Sequence, residues 1–222
     1  MFTHEIPMLR VGLTGGLGSG KSTVAAMLGA HGAHILQADE LGRQLMQPGQ
    51  RVFGEIVSHF GPEVLAADGT LNRAILARLA FTDGRVEELN AIVHPAAIAQ
   101  QTELAEAIFT RDPAAIVVVE SALIFETKYG GPNGWRHRFD KLILVTAPEP
   151  LKIARFIARS GPGDPESLAA EARRRLASQI TDAEKAPACD FIVHNDGTLE
   201  DLQRQVDDLW PKLLAASRQP TH

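Results

Sequence analysis

Residues 9 to 28 spell a short apolar run, a loop dense in glycine and a second apolar run. Leu9 to Leu13, broken by Arg10, leads into Gly15-Gly16-Leu17-Gly18-Ser19-Gly20-Lys21-Ser22-Thr23, and then Val24-Ala25-Ala26-Met27-Leu28. Strand, glycine loop and helix in that order satisfy G-x-x-x-x-G-K-[ST] in the context that gives the pattern its meaning. A chain can wrap a polyphosphate only where successive backbone N–H groups point inward and no Cβ crowds the phosphate oxygens. A helix opening near Lys21 adds unpaired first-turn N–H groups and the positive end of its dipole. Gly16, Gly18, Ser19, Gly20, Lys21, Ser22 and Thr23 are therefore the candidate contacts for a nucleoside triphosphate. Lys21 reaches for the terminal phosphates, and Ser22 is placed to ligand Mg²⁺. A packing turn would account for one or two glycines but not for Lys-Ser at that fixed offset.

The remaining bounds narrow the use of that nucleotide. A length of 222 residues, with 45% hydrophobic, suits one α/β domain with inserted helical pieces. The formal charge of −5 carries no global basic signal for nucleic acid. The single cysteine, Cys189, fits a reducing cytoplasm and reads as packing. The first residues show no basic-then-apolar signal, and no apolar run approaches the roughly 18 residues of a membrane span. The eight histidines pair with no cysteine or carboxylate at metal-ligand spacing. No obligatory protein partner is evident.

Along the chain, Ala33 to Leu36 reads as a second strand that runs into Ala38-Asp39. Asp39 is either the cap of the next helix or, at a strand end lining the crevice of an α/β sheet, a carboxylate that accepts a hydroxyl proton. Arg43 falls on the same helix face, to hold an anionic acceptor or to pair with Asp39 or Glu40. Residues 50 to 94 read as helices separated by Gly61-Pro62, Asp68-Gly69 and Asp83-Gly84, with stripes Val52/Phe53/Ile56/Val57/Phe60 and Leu76/Leu79/Ala80/Phe81. So long an insertion looks like a helical lobe over an acceptor. Pro95 is expected to open the next helix at its first turn, with His94 as capping neighbour or substrate contact.

Ala115 to Val119 is a β-branched run typical of a central parallel strand, ending in Glu120, a candidate for organising the metal. Leu123-Ile124-Phe125 is too apolar to stand in solvent and should line a pocket or seal the lobe. Lys141 to Val145 is the fourth strand, and Lys128 to Arg138 a Gly/Pro-rich loop. Lys152, Arg155, Arg159 and Arg173 to Arg175 flank a Gly/Pro break at 160–165, as a mobile lid closing on phosphates would require. Asp190 to His194 is the fifth strand. Leu199, Leu202, Val206, Leu209 and Leu213 form a final core-facing stripe. The expected fold is α/β, a five-stranded parallel sheet flanked by helices. Its core lies at about 8–48, 112–160 and 188–216, its acceptor lobe at about 49–111 and its lid at about 155–187.

Taken together these segments resemble dephospho-coenzyme A kinases, P-loop kinases of the nucleoside-monophosphate-kinase-like group. The resemblance rests on Gly12 to Ala25, Ala38-Asp39 with Arg43, Phe60-Gly61, Asp68-Gly69 with Arg73, and His94-Pro95. It continues through Leu123 to Glu126, Arg155 with Arg159, Arg175 with Gln179, and Asn195. It implies the P-loop NTPase fold and Mg²⁺-dependent transfer of the ATP γ-phosphate to the ribose 3′-hydroxyl of dephospho-coenzyme A. It further implies Asp39 as base or orienter of that hydroxyl, Lys21, Arg155 and Arg159 on the transferred phosphoryl, and Asn195 near ATP. Arg43, His94, Leu123 and Glu126 fall in the acceptor region. Gln37 and Ala122 depart from the family's usual Asp and Pro. A kinase for another small acceptor, such as a nucleoside monophosphate, would keep every assignment but the pocket. A GTPase-like switch would need an Asn-Lys-x-Asp guanine reader, and Asn195-Asp196-Gly197 is no such tetrad.

Overall fold

The computed structural model of the chain describes residues 8–127 and 134–217. All five expected strands form: β1 (Leu9–Thr14), β2 (His34–Gln37), β3 (Ile116–Glu120), β4 (Lys141–Thr146) and β5 (Phe191–His194). They build one parallel sheet in the order β2-β3-β1-β4-β5. The central strand, β1, is followed by neighbours placed first on one side and then on the other. Its register sets Leu13 level with Glu120 of β3 and with Ile143 of β4. The loop after Thr14 therefore opens at the switch point of the sheet, where α/β folds bind ligands. Val11, Leu13, Val117, Val118, Ile143, Leu144 and Val145 are fully buried, which is why these strands read as unbroken apolar runs.

The helices are α1 (Lys21–Ala30), α2 (Ala38–Leu45), α3 (Arg51–Phe60), α4 (Arg73–Ala77), α5 (Val86–Arg111), α6 (Glu149–Arg159), α7 (Pro165–Ala177), α8 (Asp182–Lys185) and α9 (Leu199–Ala216). A 3₁₀ turn over Gly134–His137 is the described part of the Gly/Pro-rich loop. Val24 and Leu28 of α1 share a core with Leu202, Val206, Leu209 and Leu213 of α9 and with the β1 side chains. Each such burial stabilises by about 1.5–3 kcal/mol. Leu199 departs from the expected stripe, being 61% exposed. It is the first helical residue, where the chain is held by a capping box between Thr198 and Asp201 rather than by packing.

The chain divides into two compact units. One carries the described residues up to Leu36 and from Ala105 onward; the other is Gln37–Leu104. The second unit has its own core, with Val52, Ile56 and Phe60 of α3 against Val64, Leu76, Leu79 and Ala96. Val52, Ile56, Val57 and Phe60 of the first stripe and Leu76 and Leu79 of the second enter it, and the side chain of Phe81 lies outside the described residues. Pro95 does not open a helix. It sits inside the 26-residue α5, with His94 half-buried beside it. Proline in a helix interior removes one backbone hydrogen bond and costs about 3 kcal/mol or more. Leu89, Ile92, Val93 and Ala96 pack on the same core before and after it, and their burial keeps the helix continuous.

Candidate functional site

In the first unit the loop is held by contacts within the protein. Gly20 caps α1 with φ 95°, and Gly18 has φ 70°, both in the left-handed region. A Cβ on Gly18 would run into the backbone carbonyl of Lys152, and one on Gly20 into the side-chain amide of Asn195. Lys21 folds back so that Nζ donates to the Gly16 carbonyl at 3.2 Å, which bridges the loop. Ser22 Oγ donates to Glu120 Oε1 at 2.7 Å, joining the loop to the end of β3. This hydroxyl and carboxylate are hard oxygen donors. They suit Mg²⁺, which takes few ligands from protein and the rest from phosphates and water. Among the described residues no group of three or more His, Cys, Asp or Glu side chains could hold a metal by itself.

Asn195, at the end of β5, ties the loop from behind. It is 7% exposed, and its Nδ2 donates to the Ser19 carbonyl at 2.8 Å. Arg155 Nη2 in turn donates to both the backbone and side-chain oxygens of Asn195, at 3.1 Å each. Arg155 Nη1 is buried and has no protein partner. The Ser19 hydroxyl is also buried and unpartnered, while its backbone N–H donates to the Gly16 carbonyl at 3.1 Å and closes the loop on itself. Thr23 is exposed in the first turn of α1.

The six cations expected on one lid divide into different environments. Lys152 is 8% exposed and paired with Asp182 Oδ2 at 2.5 Å. Arg155 is bound to Asn195, and Arg175 pairs with Glu171 while lying over the Phe156 ring. Arg159, Arg173 and Arg174 are exposed. Sequence reasoning assigned no role to Lys152 or Gln179 at the loop, and passed over Asp182. Gln179 Oε1 accepts the Leu17 backbone N–H at 3.0 Å. It also missed a buried pair, Lys185 with Glu126 at 2.9 Å, in which Lys185 further donates to the Ala122 carbonyl at 3.4 Å. Glu126 additionally accepts the Ile180 N–H. The candidate acceptor contact is thus already engaged through Oε1, while its Oε2 is buried without a partner.

The apolar trio after β3 behaves only in part as expected. Ile124 is fully buried with Trp135 and Leu142, and Phe125 packs on them, but Leu123 is 38% exposed. Cys189 packs on this cluster, and burial, with Asp190 adding to it, pushes its thiol up to about 11. That is the packing role read from the sequence, since a thiol this weakly acidic is no nucleophile.

The second unit carries the candidate acceptor residues. Asp39 is not a helix cap: Gln37 holds that position, and Asp39 is the exposed second residue of α2. A first-turn carboxylate is favoured there by the helix dipole. Of the two pairings open to Arg43, the structure shows Glu40, with Nε and Nη2 at 2.9 and 2.7 Å. The Arg43 hydrogen bond holds the Glu40 carboxyl below its ordinary range. Arg43 and Arg73 line a cavity of about 440 Å³ whose walls include Met46, Leu71, Leu76, Ala80 and Leu89. Two guanidinium groups on an apolar wall match a ligand that is anionic at one end and apolar along its length.

Comparison with known proteins agrees with this geometry. The family model described as dephospho-CoA kinase matches residues 9–201. The dephospho-CoA kinase of Leifsonia xyli is 40% identical over 207 residues, which is 93% of this chain and 99% of the relative. That of Corynebacterium jeikeium is 40% identical over 204 residues, covering 91% and 98%. A Thermus thermophilus protein of known structure aligns with TM-score 0.72 at 32% identity, over 93% of this chain and 98% of that one. Campylobacter jejuni dephospho-CoA kinase shares the fold, with TM-score 0.59 at 21% identity, covering 93% and 97%. Loop, strand order and relatives converge, and the chain belongs to the dephospho-CoA kinase family.

Proposed function

We propose that this kinase transfers the ATP γ-phosphate to the ribose 3′-hydroxyl of dephospho-CoA, and that the residues described above do so as follows. Loop amides, among them those of Gly18, Gly20 and Ser22, and the Lys21 ammonium hold the triphosphate and offset charge on the γ-phosphoryl as it leaves ADP. Asp39 orients the 3′-hydroxyl and accepts its proton while the new oxygen–phosphorus bond forms and the bond to the ADP oxygen breaks. Arg155 supplies Nη1, a buried donor with no protein partner, to the nucleotide, and Arg159 acts beside it. Ser22 and Glu120 would hold Mg²⁺, which supplies charge neutralisation at the β- and γ-phosphates when bound.

The acceptor would use the cavity beside Arg43. Its pyrophosphate suits Arg43 and Arg73, and its pantetheine arm suits the apolar wall. His94 belongs to the same unit and completes the acceptor region. Leu123, exposed after β3, offers a further apolar contact, and Glu126 holds the surrounding backbone through Ile180. Both substrates are small molecules, and we place the reaction in the cytoplasm. Among the described residues no helix is long and apolar enough to cross a membrane.

The observation that carries this reading is the assembled cradle, in which Lys21 bridges the loop and Ser22 is bonded to Glu120, in a chain of this family. It is tested by ADP release from ATP with and without dephospho-CoA. Release that depends on the acceptor supports it. Acceptor-independent hydrolysis, or a preference for GTP, refutes it.

A further inference from the structure

Three contacts converge on the tip of the loop from the junction of α7 and α8 and from α6. A Cβ placed on Gly16 would stand 3.2 Å from Lys152 Nζ and 3.5 Å from Gln179 Oε1. Gln179 already holds the Leu17 N–H, and Asp182, three residues further on, holds Lys152. The backbone of Lys152 meanwhile abuts Gly18. Lys152 thus touches the arch at both ends, with its carbonyl at Gly18 and its ammonium at Gly16. An 8%-exposed ammonium would be costly alone, and Asp182 makes its position tenable.

We infer that Gln179 and the Lys152–Asp182 ion pair form a brace that sets the conformation of Gly16–Gly18, making these three residues positioning residues for ATP. The inference rests on the loop's binding ATP as proposed above. The pair matters in this account because it is neutral and rigid. A carboxylate at Asp182 without its lysine would put uncompensated negative charge beside the triphosphate, while an amide there would not. Gln179 matters because its oxygen turns the Leu17 amide and thereby fixes the curvature of the arch.

The test is calorimetric titration of MgATP into the full chain, with KM for both substrates and thermal unfolding measured alongside. Gln179→Ala should raise the ATP Kd about 3–10-fold, the equivalent of one net hydrogen bond. Lys152→Met should raise it about tenfold or more by stranding Asp182. The double variant Lys152→Met/Asp182→Asn should recover only part of that loss and stay about threefold or more weaker than wild type, because the stranded charge is gone but the pair no longer holds the loop; full return to wild-type affinity would overturn the brace. KM for dephospho-CoA should stay within about twofold throughout, while KM for ATP follows Kd. A double variant as weak as Lys152→Met alone would overturn the brace, because Lys152 would then bind phosphate itself. Variants with lowered melting temperature but wild-type ATP affinity would also overturn it. Failure of the wild-type chain to bind ATP would refute the underlying assignment instead.

Discussion

Around Lys21 the polar side chains are bonded to one another about a buried Asn195, whereas in Gln37–Leu104 the candidate acceptor residues Asp39 and Arg43 are exposed. Asn195 holds the Ser19 carbonyl, Arg155 holds Asn195, and Ser22 holds Glu120, all within one unit of the chain. On the other side Arg43 makes a surface pair with Glu40, and Asp39 stands at the open first turn of α2. The difference follows from what each must bind. A triphosphate is met by backbone amides, and amides point inward only if the loop is rigid. An alcohol is met by one carboxylate, which must remain solvated and ionised until the alcohol arrives. On the proposed reading, preorganisation is concentrated on the donor of the phosphoryl group, with exposed Asp39 as the base for its acceptor.

Substitutions can break this contrast in order of expected size. Lys21→Ala removes the ammonium proposed to offset charge on the transferred group, and single-turnover phosphoryl transfer should fall about 10³-fold, the upper range for one electrostatic donor. An unchanged burst would show that Lys21 serves only the loop. Asp39→Asn should slow turnover by about 10²-fold while leaving ATP affinity as it was, because the proposed role of the carboxylate is toward the acceptor hydroxyl and not the triphosphate. Near-normal turnover would remove Asp39 from the reaction.

Asn195→Ala strands the Ser19 carbonyl in a buried place and leaves Arg155 Nη2 only the backbone oxygen of residue 195. It should cost about 1–3 kcal/mol in denaturant unfolding, with weaker ATP binding. Stability equal to wild type would mean that water replaces the amide.

The smallest effect is confined to the second unit. Glu88 accepts hydrogen bonds from Arg85 and then His59, which hold its carboxyl down at about 2 from an ordinary 4.5. A depressed carboxyl stabilises the fold above the unfolded value, and that contribution is lost as pH falls through the folded one. The melting temperature should therefore decline between pH 5 and pH 2, with a shallower slope in Glu88→Gln. Identical slopes would place the acid sensitivity elsewhere. The group is exposed, so the change should be slight.

What could be read from the chain divides along the same line. The loop was legible because each residue type answers a backbone demand at a fixed place: Gly20 must adopt φ 95°, and Ser22 must face the end of β3. The central strands were legible because burial on both faces leaves only apolar residues. The Lys152–Asp182 pair was not, because its members are 30 residues apart and each alone looks like a solvated charge. Pro95 misled because proline favours first turns, and only the core that α5 covers explains a proline in mid-helix. Leu199 shared the period of α9 without sharing its buried face, since spacing gives direction around a helix but not where the core ends.

The most direct test of the central claim is product identity after incubation with MgATP and dephospho-CoA, read by mass spectrometry and phosphorus resonance. The account predicts one ADP formed for each dephospho-CoA that gains a single phosphate as a 3′-phosphomonoester, with nucleoside monophosphates left unphosphorylated. A phosphate carried by another acceptor from the same panel, or ADP formed with no phosphorylated product, would contradict it.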